Sequence, residues 1–135
     1  MEHLKEHLQS RFFDLSLYPS ASITDIDLTV PLWNLSGQMC GYQVYNPSYS
    51  KVRNNDPRES KYFTYVASDK VGVWGLETLN FSDSVVYLTE GIFDACRLHW
   101  HGKPALAMLS CNPLHLRDFL KCLPQTKIAC VQGDD

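Results

Sequence analysis

The hydrophobic pattern is most regular in the second half of the chain. Three short apolar runs are typical of buried strands: 84–89, 105–110 and 127–131. Between them, apolar side chains recur at helical spacing in 92–100 and 112–123, and each helix is followed by a residue that stops it, Gly102 or Pro124. The order strand, helix, strand, helix, strand predicts a parallel sheet with right-handed crossovers.

The beginning of the chain has a different pattern. Leu4, Leu8 and Phe12 are four residues apart and have charged residues between them, which predicts a short amphipathic helix within 1–13. Residues 14–29 are rich in Ser, Thr and Asp, so we expect them to form a connection. We expect the helix within 1–13 to pack against the rest of the protein.

Two apolar runs then flank a turn that contains glycine. The runs 30–35 and 38–45 lie on either side of Gly37, which is the pattern of a β-hairpin. A third strand is predicted at 61–66, and residues 71–79 are expected to lead across into the second half. This part is therefore interpreted as a small β-rich subdomain.

We divide the chain into three parts on this basis: 1–29, an N-terminal helix and connection; 30–83, a β-hairpin subdomain; and 84–135, the parallel sheet. The expected class is α/β. The 135 residues carry a net charge of -3, so any basic groove must be local. Five cysteines without a C-x-x-C pair, no secretory signal and no long apolar span indicate a cytoplasmic protein with reduced thiols and no membrane segment.

A polar loop is predicted at 46–60, between the second and third strands of the hairpin subdomain. Its cations and the nearby tyrosines are Lys51, Arg53, Arg58, Tyr45, Tyr49 and Tyr62. Cations interleaved with aromatic rings can hold phosphates and stack bases. The alternative is an ordinary solvated loop.

Acidic residues follow two of the three predicted strands in the second half. Glu90 ends the first strand, and Asp134 and Asp135 end the third. If these strands are neighbours at the switch point of the sheet, their carboxylates converge at an edge where ligands bind. Clustered oxygen ligands suit Mg²⁺, which stabilises charge in phosphoryl transfer. The alternative is that they are unrelated turn acids.

Three segments of the second half resemble a known domain. The segment 90–94, Glu-Gly-Ile-Phe-Asp, follows one apolar strand, Leu-Ser at 109–110 ends the next, and Gln-Gly-Asp at 132–134 ends the third. In this order they resemble the TOPRIM domain that primases, topoisomerases and some nucleases share.

The first half narrows this resemblance to bacterial and phage primases. The segments 31–37 and 41–45 are similar to the hairpin that precedes the TOPRIM domain in those enzymes. Residues 54–57 through Lys61 and Tyr62, and then Val-Trp-Gly-Leu at 73–76, also resemble segments found there. The likeness runs from about residue 30 to residue 135.

The resemblance implies roles for individual residues. Glu90 is expected to act as a metal-associated acid or base, with Gly91 and Asp94 as supporting residues and Asp94 capping or bracing the next helix. The metal-binding Asp-x-Asp motif is matched by Asp134 at its second position, but Gln132 stands at the first, and an amide brings no negative charge.

The resemblance also implies ligands. Asp135 lies outside the matched motif and is a further candidate ligand for Mg²⁺ or Mn²⁺, because it also follows the third predicted strand. Lys61, and more loosely Arg53 and Arg58, are expected to contact template or nucleotide phosphates, together with Lys51 of the same loop. We also note that the family fold continues with another helix and strand beyond the position of Asp135, which predicts a fragment of a longer protein or a degenerate copy.

The function implied is a primase-like nucleotidyltransferase core. It would act in bacterial or phage DNA replication on single-stranded DNA, with nucleoside triphosphates as substrates and a helicase or another replication protein as a partner. Two alternatives stay open. One is a TOPRIM nuclease, and the other is a non-catalytic nucleic-acid-binding or inhibitory module with a degenerate TOPRIM fold.

Overall fold

A computed structural model of the chain describes residues 2–34, 36–49, 56–67, 72–80, 82–109, 117, 120, 121, 123 and 127–130. The α-helices whose bounds are described are α1 (Glu2–Ser10) and α2 (Ile92–Trp100). The strands are β1 (Ser22–Ile23), β2 (Leu28–Trp33), β3 (Met39–Tyr45), β4 (Tyr62–Val66), β5 (Val85–Thr89), β6 (Ala105–Ala107) and β7 (Lys127–Cys130). They form an antiparallel sheet in the order β1-β2-β3-β4 and a parallel sheet in the order β6-β5-β7.

The antiparallel sheet confirms the predicted hairpin and its third strand. β2 pairs with β3 and β3 pairs with β4, each in antiparallel register. The prediction that 14–29 is only a connection was wrong, since β1 lies inside it and β2 begins at Leu28. The polar residues close a tight turn there: the Thr24 hydroxyl donates to the Asp27 carboxylate over 2.7 Å, and the Thr24 N–H donates to the Asp27 carbonyl.

The N-terminal helix is confirmed over a shorter range than 1–13. It ends after Ser10, where Phe12 adopts a left-handed conformation with φ of 65°. The Phe13 N–H then donates to the Leu8 carbonyl and the Phe12 N–H to the Gln9 carbonyl, which is a Schellman ending. This turn buries Phe13 fully in the core beside Leu8 and leaves Phe12 partly buried. The four-residue spacing had predicted Phe12 for the buried face.

The parallel sheet places β5 in the centre. Leu88 is level with Leu106 of β6 on one side and with Cys130 of β7 on the other. The predicted strand 105–110 is shorter than expected, because the chain turns at Leu109, whose φ is 53°. α2 ends as predicted at Gly102, which has φ of 76°.

Most of the predicted helix 112–123 lies outside the described residues. The three of them that are described as helical are Arg117, Leu120 and Lys121. Leu120 and Leu123 pack against the second of two core clusters, beside Val86, Leu88 and Leu106. No helix in the described part of the chain is long and apolar enough to cross a membrane.

Residues 72–80 join the two sheets, as the sequence predicted. Val73 pairs with Trp33 of β2, and Trp74 pairs with Ala107 of β6. The main core cluster contains buried residues from all three predicted parts of the chain, among them Phe13, Leu32 and Ala95. The two sheets therefore pack on common side chains.

A line of aromatic side chains runs through this core. Successive ring centroids are 4.7 Å apart between Tyr45 and Phe93, 6.2 Å between Phe93 and Phe13, 6.1 Å between Phe13 and Trp74, and 5.6 Å between Trp74 and His99. We call these five residues the aromatic row. It extends from the first turn of α2 to its last turn, because Phe93 and His99 lie at opposite ends of that helix.

Candidate functional site at the carboxyl edge of the parallel sheet

Glu90 directly follows the central strand of the parallel sheet. Its backbone is held on both sides: the Glu90 carbonyl accepts from the Leu109 N–H at 3.1 Å, and the buried Thr89 hydroxyl donates to the Gly91 carbonyl at 2.8 Å. Its side chain is exposed. The fold therefore presents one carboxylate to solvent from a fixed backbone position at the carboxyl edge of β5.

Gly91 and Asp94 begin the helix that follows. Gly91 is the N-cap of α2 and has an ordinary extended backbone, with no side-chain cap bond. Asp94 lies in the first turn, and its Oδ2 is 3.9 Å from the position that a Cβ on Gly91 would occupy. A carboxylate in the first turn interacts favourably with the helix dipole. The proposed bracing role of Asp94 stays a prediction.

The order of the sheet places a switch point beside Glu90. The chain leaves β5 for β6 on one side, while β7 lies on the other side and runs parallel to β5. The carboxyl ends of β5 and β7 therefore meet at one edge, the place where ligands bind in open α/β sheets. Gln132, Asp134 and Asp135 lie outside the described residues. Within the described ranges, no group of three or more His, Cys, Asp or Glu side chains is arranged to hold a metal ion.

A cation from the turn that follows α1 lies beside this edge, and it was not among the predicted site residues. The guanidinium carbon of Arg11 is 3.9 Å from the centroid of the Phe93 ring, in the first turn of α2. The same guanidinium donates to the hydroxyl of Tyr62 at 3.0 Å and to that of Tyr45 at 3.3 Å. His7 Nε2 lies 2.6 Å from the Tyr45 hydroxyl. We call these five residues the Arg11 cluster.

Arg11 is held by aromatic rings and hydroxyls. Within the described ranges it makes no salt bridge to a carboxylate. Arg11 keeps its charge at physiological pH, so the cluster presents a positive charge beside the end of β5. A sequence signal existed, since His7 and Arg11 are four residues apart within the helix predicted for 1–13. No local pattern in the sequence indicates that Arg11 lies on the ring of Phe93, because the two residues are far apart along the chain.

The electrostatics of the cluster involve one further cation. Burial lowers the pKa of His7, and the positive charges of Arg11 and Lys61 lower it further. His7 is therefore neutral at pH 7 and contributes hydrogen bonding. Lys61 was predicted as a phosphate-binding residue. It directly precedes Tyr62 of the Arg11 cluster, and its charge is among the causes that lower the pKa of His7.

The predicted basic loop is described only in part, since Lys51 and Arg53 lie outside the described residues. Arg58 is exposed and pairs with the Asp56 carboxylate at 3.3 Å. The prediction that Tyr45 is available to stack bases was wrong, because only 2% of it is exposed and its hydroxyl serves His7 and Arg11. Tyr49, by contrast, is 39% exposed.

The fold, an antiparallel sheet followed by a parallel one, is similar to that of primase catalytic cores. No protein-family model and no curated protein sequence matches the chain. Among solved structures, the Aquifex aeolicus primase, represented by its zinc-binding and RNA polymerase domains, matches with a TM-score of 0.57 at 19% identity, over 97% of this chain and 36% of that one.

Two further structures give the same result. The RNA polymerase domain of Mycobacterium tuberculosis primase DnaG matches with a TM-score of 0.55 at 18% identity, over 98% of this chain and 50% of that one. A DnaG primase catalytic domain bound to single-stranded DNA matches with a TM-score of 0.55 at 18% identity, over 93% and 44%. This chain thus spans half or less of the primases it resembles, and at these identities the likeness establishes the fold alone.

Proposed function

We propose that this chain is a primase-like nucleotidyltransferase core with a TOPRIM-type parallel sheet, acting on single-stranded DNA with nucleoside triphosphates. The observation that carries the proposal is the position of Glu90 at the switch point between β5 and β7, beside the Arg11 cluster. This arrangement combines a candidate metal-binding acid with a fixed cation. Phosphoryl transfer needs both, because charge develops on the triphosphate oxygens.

The proposed metal is Mg²⁺ or Mn²⁺. The candidate ligands Glu90, Asp134 and Asp135 offer carboxylate oxygens, and Gln132 offers an amide oxygen, which is the donor chemistry of hard divalent cations. When bound, such a cation would neutralise charge on the reacting phosphate groups. Glu90 itself would hold or accept a proton next to the metal.

The proposed contacts to nucleic acid come from the first half of the chain. Arg11 and Lys61 would bind backbone phosphates beside the edge of the parallel sheet, and Lys51, Arg53 and Arg58 would extend this contact along the loop. Such contacts fix position on a strand without reading its sequence. The resemblance to primases of phage and bacterial replication also suggests a protein partner. We propose a helicase or another replication protein.

A second function is favoured by one observation in the sequence. Gln132 replaces the first aspartate of the family's metal-binding motif, which removes a negative charge where a divalent cation needs it. A non-catalytic module that keeps the fold and the phosphate-binding residues would tolerate this change.

Primer synthesis separates the two functions. The chain would be incubated with single-stranded DNA, nucleoside triphosphates and Mg²⁺ or Mn²⁺, and the products resolved by size. We expect a metal-dependent product that Glu90→Gln abolishes, whereas Glu77→Gln, at an exposed acid away from this edge, leaves it unchanged. No product under either metal from a full-length version, with DNA binding intact, would favour the non-catalytic module. Cleavage of plasmid DNA under the same conditions would instead identify a nuclease.

DNA binding tests the cation assignment independently of catalysis. The affinity for a fluorescent single strand would be measured by anisotropy over a range of salt concentrations. Arg11→Met and Lys61→Met should each weaken binding and reduce the salt slope by about 1. Arg97→Met is the matched control, since Arg97 also lies over a ring, that of Phe12, but on the exposed side of α2. Equal losses in all three variants would contradict the assignment.

A further inference from the structure

A cavity of about 270 Å³ opens at the opposite, amino edge of the parallel sheet. Asp83 lies two residues before β5 and Lys103 lies two residues before β6, so both enter the sheet at this edge. The C-terminal end of α2 contributes His99, and residues 17, 18 and 78 close the sides. The cavity is thus separated from Glu90 by the length of the central strand.

Two opposite charges line the cavity without pairing to each other. Within the described ranges, neither the Asp83 carboxylate nor the Lys103 ammonium takes part in a salt bridge or a side-chain hydrogen bond. The Lys103 Nζ lies 5.5 Å from the centroid of the Tyr87 ring, which holds it at the rim. The protein therefore keeps a cation and an anion apart in one concave site.

The other polar groups of the lining are already bonded. His99 Nδ1 lies 2.8 Å from the Tyr18 hydroxyl, and its Nε2 lies 2.9 Å from the Ala105 carbonyl oxygen. The Thr78 hydroxyl donates to the Gly75 carbonyl at 2.6 Å, and its oxygen lies 3.4 Å from His99 Nε2. A hydroxyl oxygen has two lone pairs, so one of them is left to accept a hydrogen bond from a ligand. His99 and Tyr18 consequently form a wall, and the groups available to a ligand are Asp83, Lys103 and the Thr78 oxygen.

We propose that this cavity binds a small zwitterion, namely a free α-amino acid with an apolar side chain. Its ammonium would be bound by Asp83 and the Thr78 oxygen, its carboxylate by Lys103, and its side chain would pack on Pro104 and on Leu17, which is 50% exposed. The volume suits this class, since it lies just below the roughly 300 Å³ at which pockets for drug-sized ligands begin. The site does not depend on the proposed nucleotidyltransferase function.

The charge requirement can be tested on the unmodified chain. L-leucine would be titrated into the ¹⁵N-labelled protein and followed by NMR, in parallel with 3-methylbutylamine, which lacks the carboxylate, and 4-methylpentanoate, which lacks the ammonium. We expect leucine to shift the amides of residues 78, 83, 102 and 103 and to bind at least about tenfold more tightly than either analogue, because each charged hydrogen bond contributes to affinity. Equal affinity for an analogue, or no shift with about 10 mM leucine, overturns the proposal.

Substitutions then assign each end of the ligand. Asp83→Asn should lower the affinity for leucine and for 3-methylbutylamine, while Lys103→Met should lower it for leucine and for 4-methylpentanoate, each by about tenfold. Asp25→Asn and Lys121→Met change the same charges at exposed positions away from the cavity and should leave binding unchanged. A loss that is the same for the control variants, or the reverse pairing of variants and analogues, contradicts the assignment.

Discussion

The two edges of the parallel sheet differ in how the protein treats its charges. At the carboxyl edge, Arg11 lies on the Phe93 ring and donates to two tyrosine hydroxyls, so its position is fixed, and within the described ranges no carboxylate pairs with it. At the amino edge, no side chain of the described residues pairs with Asp83 or Lys103 at the rim of a cavity, and the half-buried His99 has both ring nitrogens bonded. Both candidate sites thus contain charged groups that the fold holds in position without an oppositely charged partner among the described residues.

The aromatic row links these edges, and breaking it gives the largest expected effect. Trp74 is 1% exposed and contacts Phe13 on one side and His99 on the other. Trp74→Ala should lower the free energy of unfolding by about 3–5 kcal/mol, because it leaves a large cavity between the two edges. Urea unfolding would measure this. Trp100→Ala, at a ring that is 58% exposed, should change the free energy by less than about 1 kcal/mol, and similar losses for both variants would contradict the packing described here.

A smaller effect is expected at a glycine that touches the amino edge. Gly75 has φ of 95°, and a Cβ there would lie 3.1 Å from the Ala105 carbonyl oxygen and 3.7 Å from His99 Cε1. Gly37 also has a positive φ, of 78°, but nothing lies within 4 Å of its Cβ position. Gly37→Ala should therefore cost the backbone strain alone, about 1–2 kcal/mol, and Gly75→Ala should cost more. The melting temperatures of both variants measure this difference. A larger loss in Gly37→Ala would show that the backbone shifts to relieve the contact between a Cβ at position 75 and the Ala105 carbonyl oxygen.

The histidines at the two edges, His99 and His7, should contribute differently to the pH dependence of the free energy of unfolding. Burial lowers the pKa of His99 below its usual 6.5, although the Ala105 carbonyl and Glu77 act in the opposite sense. The unfolded chain then binds the proton more readily, so the stability present above pH 6.5 is lost as the pH falls below 6.5 towards the folded pKa. The pKa of His7 is lowered in the same direction, but His7 is less buried.

Urea unfolding at pH 7.5 and 5.5 measures this difference. We expect the free energy of unfolding of the wild type to be lower at pH 5.5 than at pH 7.5. This difference should be reduced more by His99→Gln than by His7→Gln. Equal losses in the wild type and both variants would mean that neither imidazole controls stability in this range. A larger change in His7→Gln would place the sensitive group at the carboxyl edge instead.

The smallest effect on stability is expected at the exposed ion pair of the loop. Asp56 and Arg58 are both exposed, and their pairing, together with the Arg58 backbone N–H, lowers the pKa of Asp56. Asp56→Asn keeps the acceptor for the Arg58 N–H and removes the charge, so the melting temperature should not change measurably. If Arg58 binds phosphate, the affinity for single-stranded DNA should rise in the same variant. Unchanged affinity would remove Arg58 from the proposed contact.

Elements with strong local signals were predicted well. The hairpin of β2 and β3, the strand that ends before Glu90 and the helix from Ile92 to Trp100 all follow from side-chain period and glycine position, which act over a few residues. The errors also have local causes. A Schellman ending placed Phe13 in the core in place of Phe12, and a Thr–Asp turn made room for β1 in a segment without an apolar run.

The sequence by itself determined Glu90 as a candidate at a strand end and the α/β order around it. The tertiary structure alone decided that β5 lies between β6 and β7, that Arg11 lies on Phe93, and that Asp83 and Lys103 share a cavity. These relations join residues far apart along the chain. Periodicity describes which face of an element is buried, and it contains no information about which distant face packs against it.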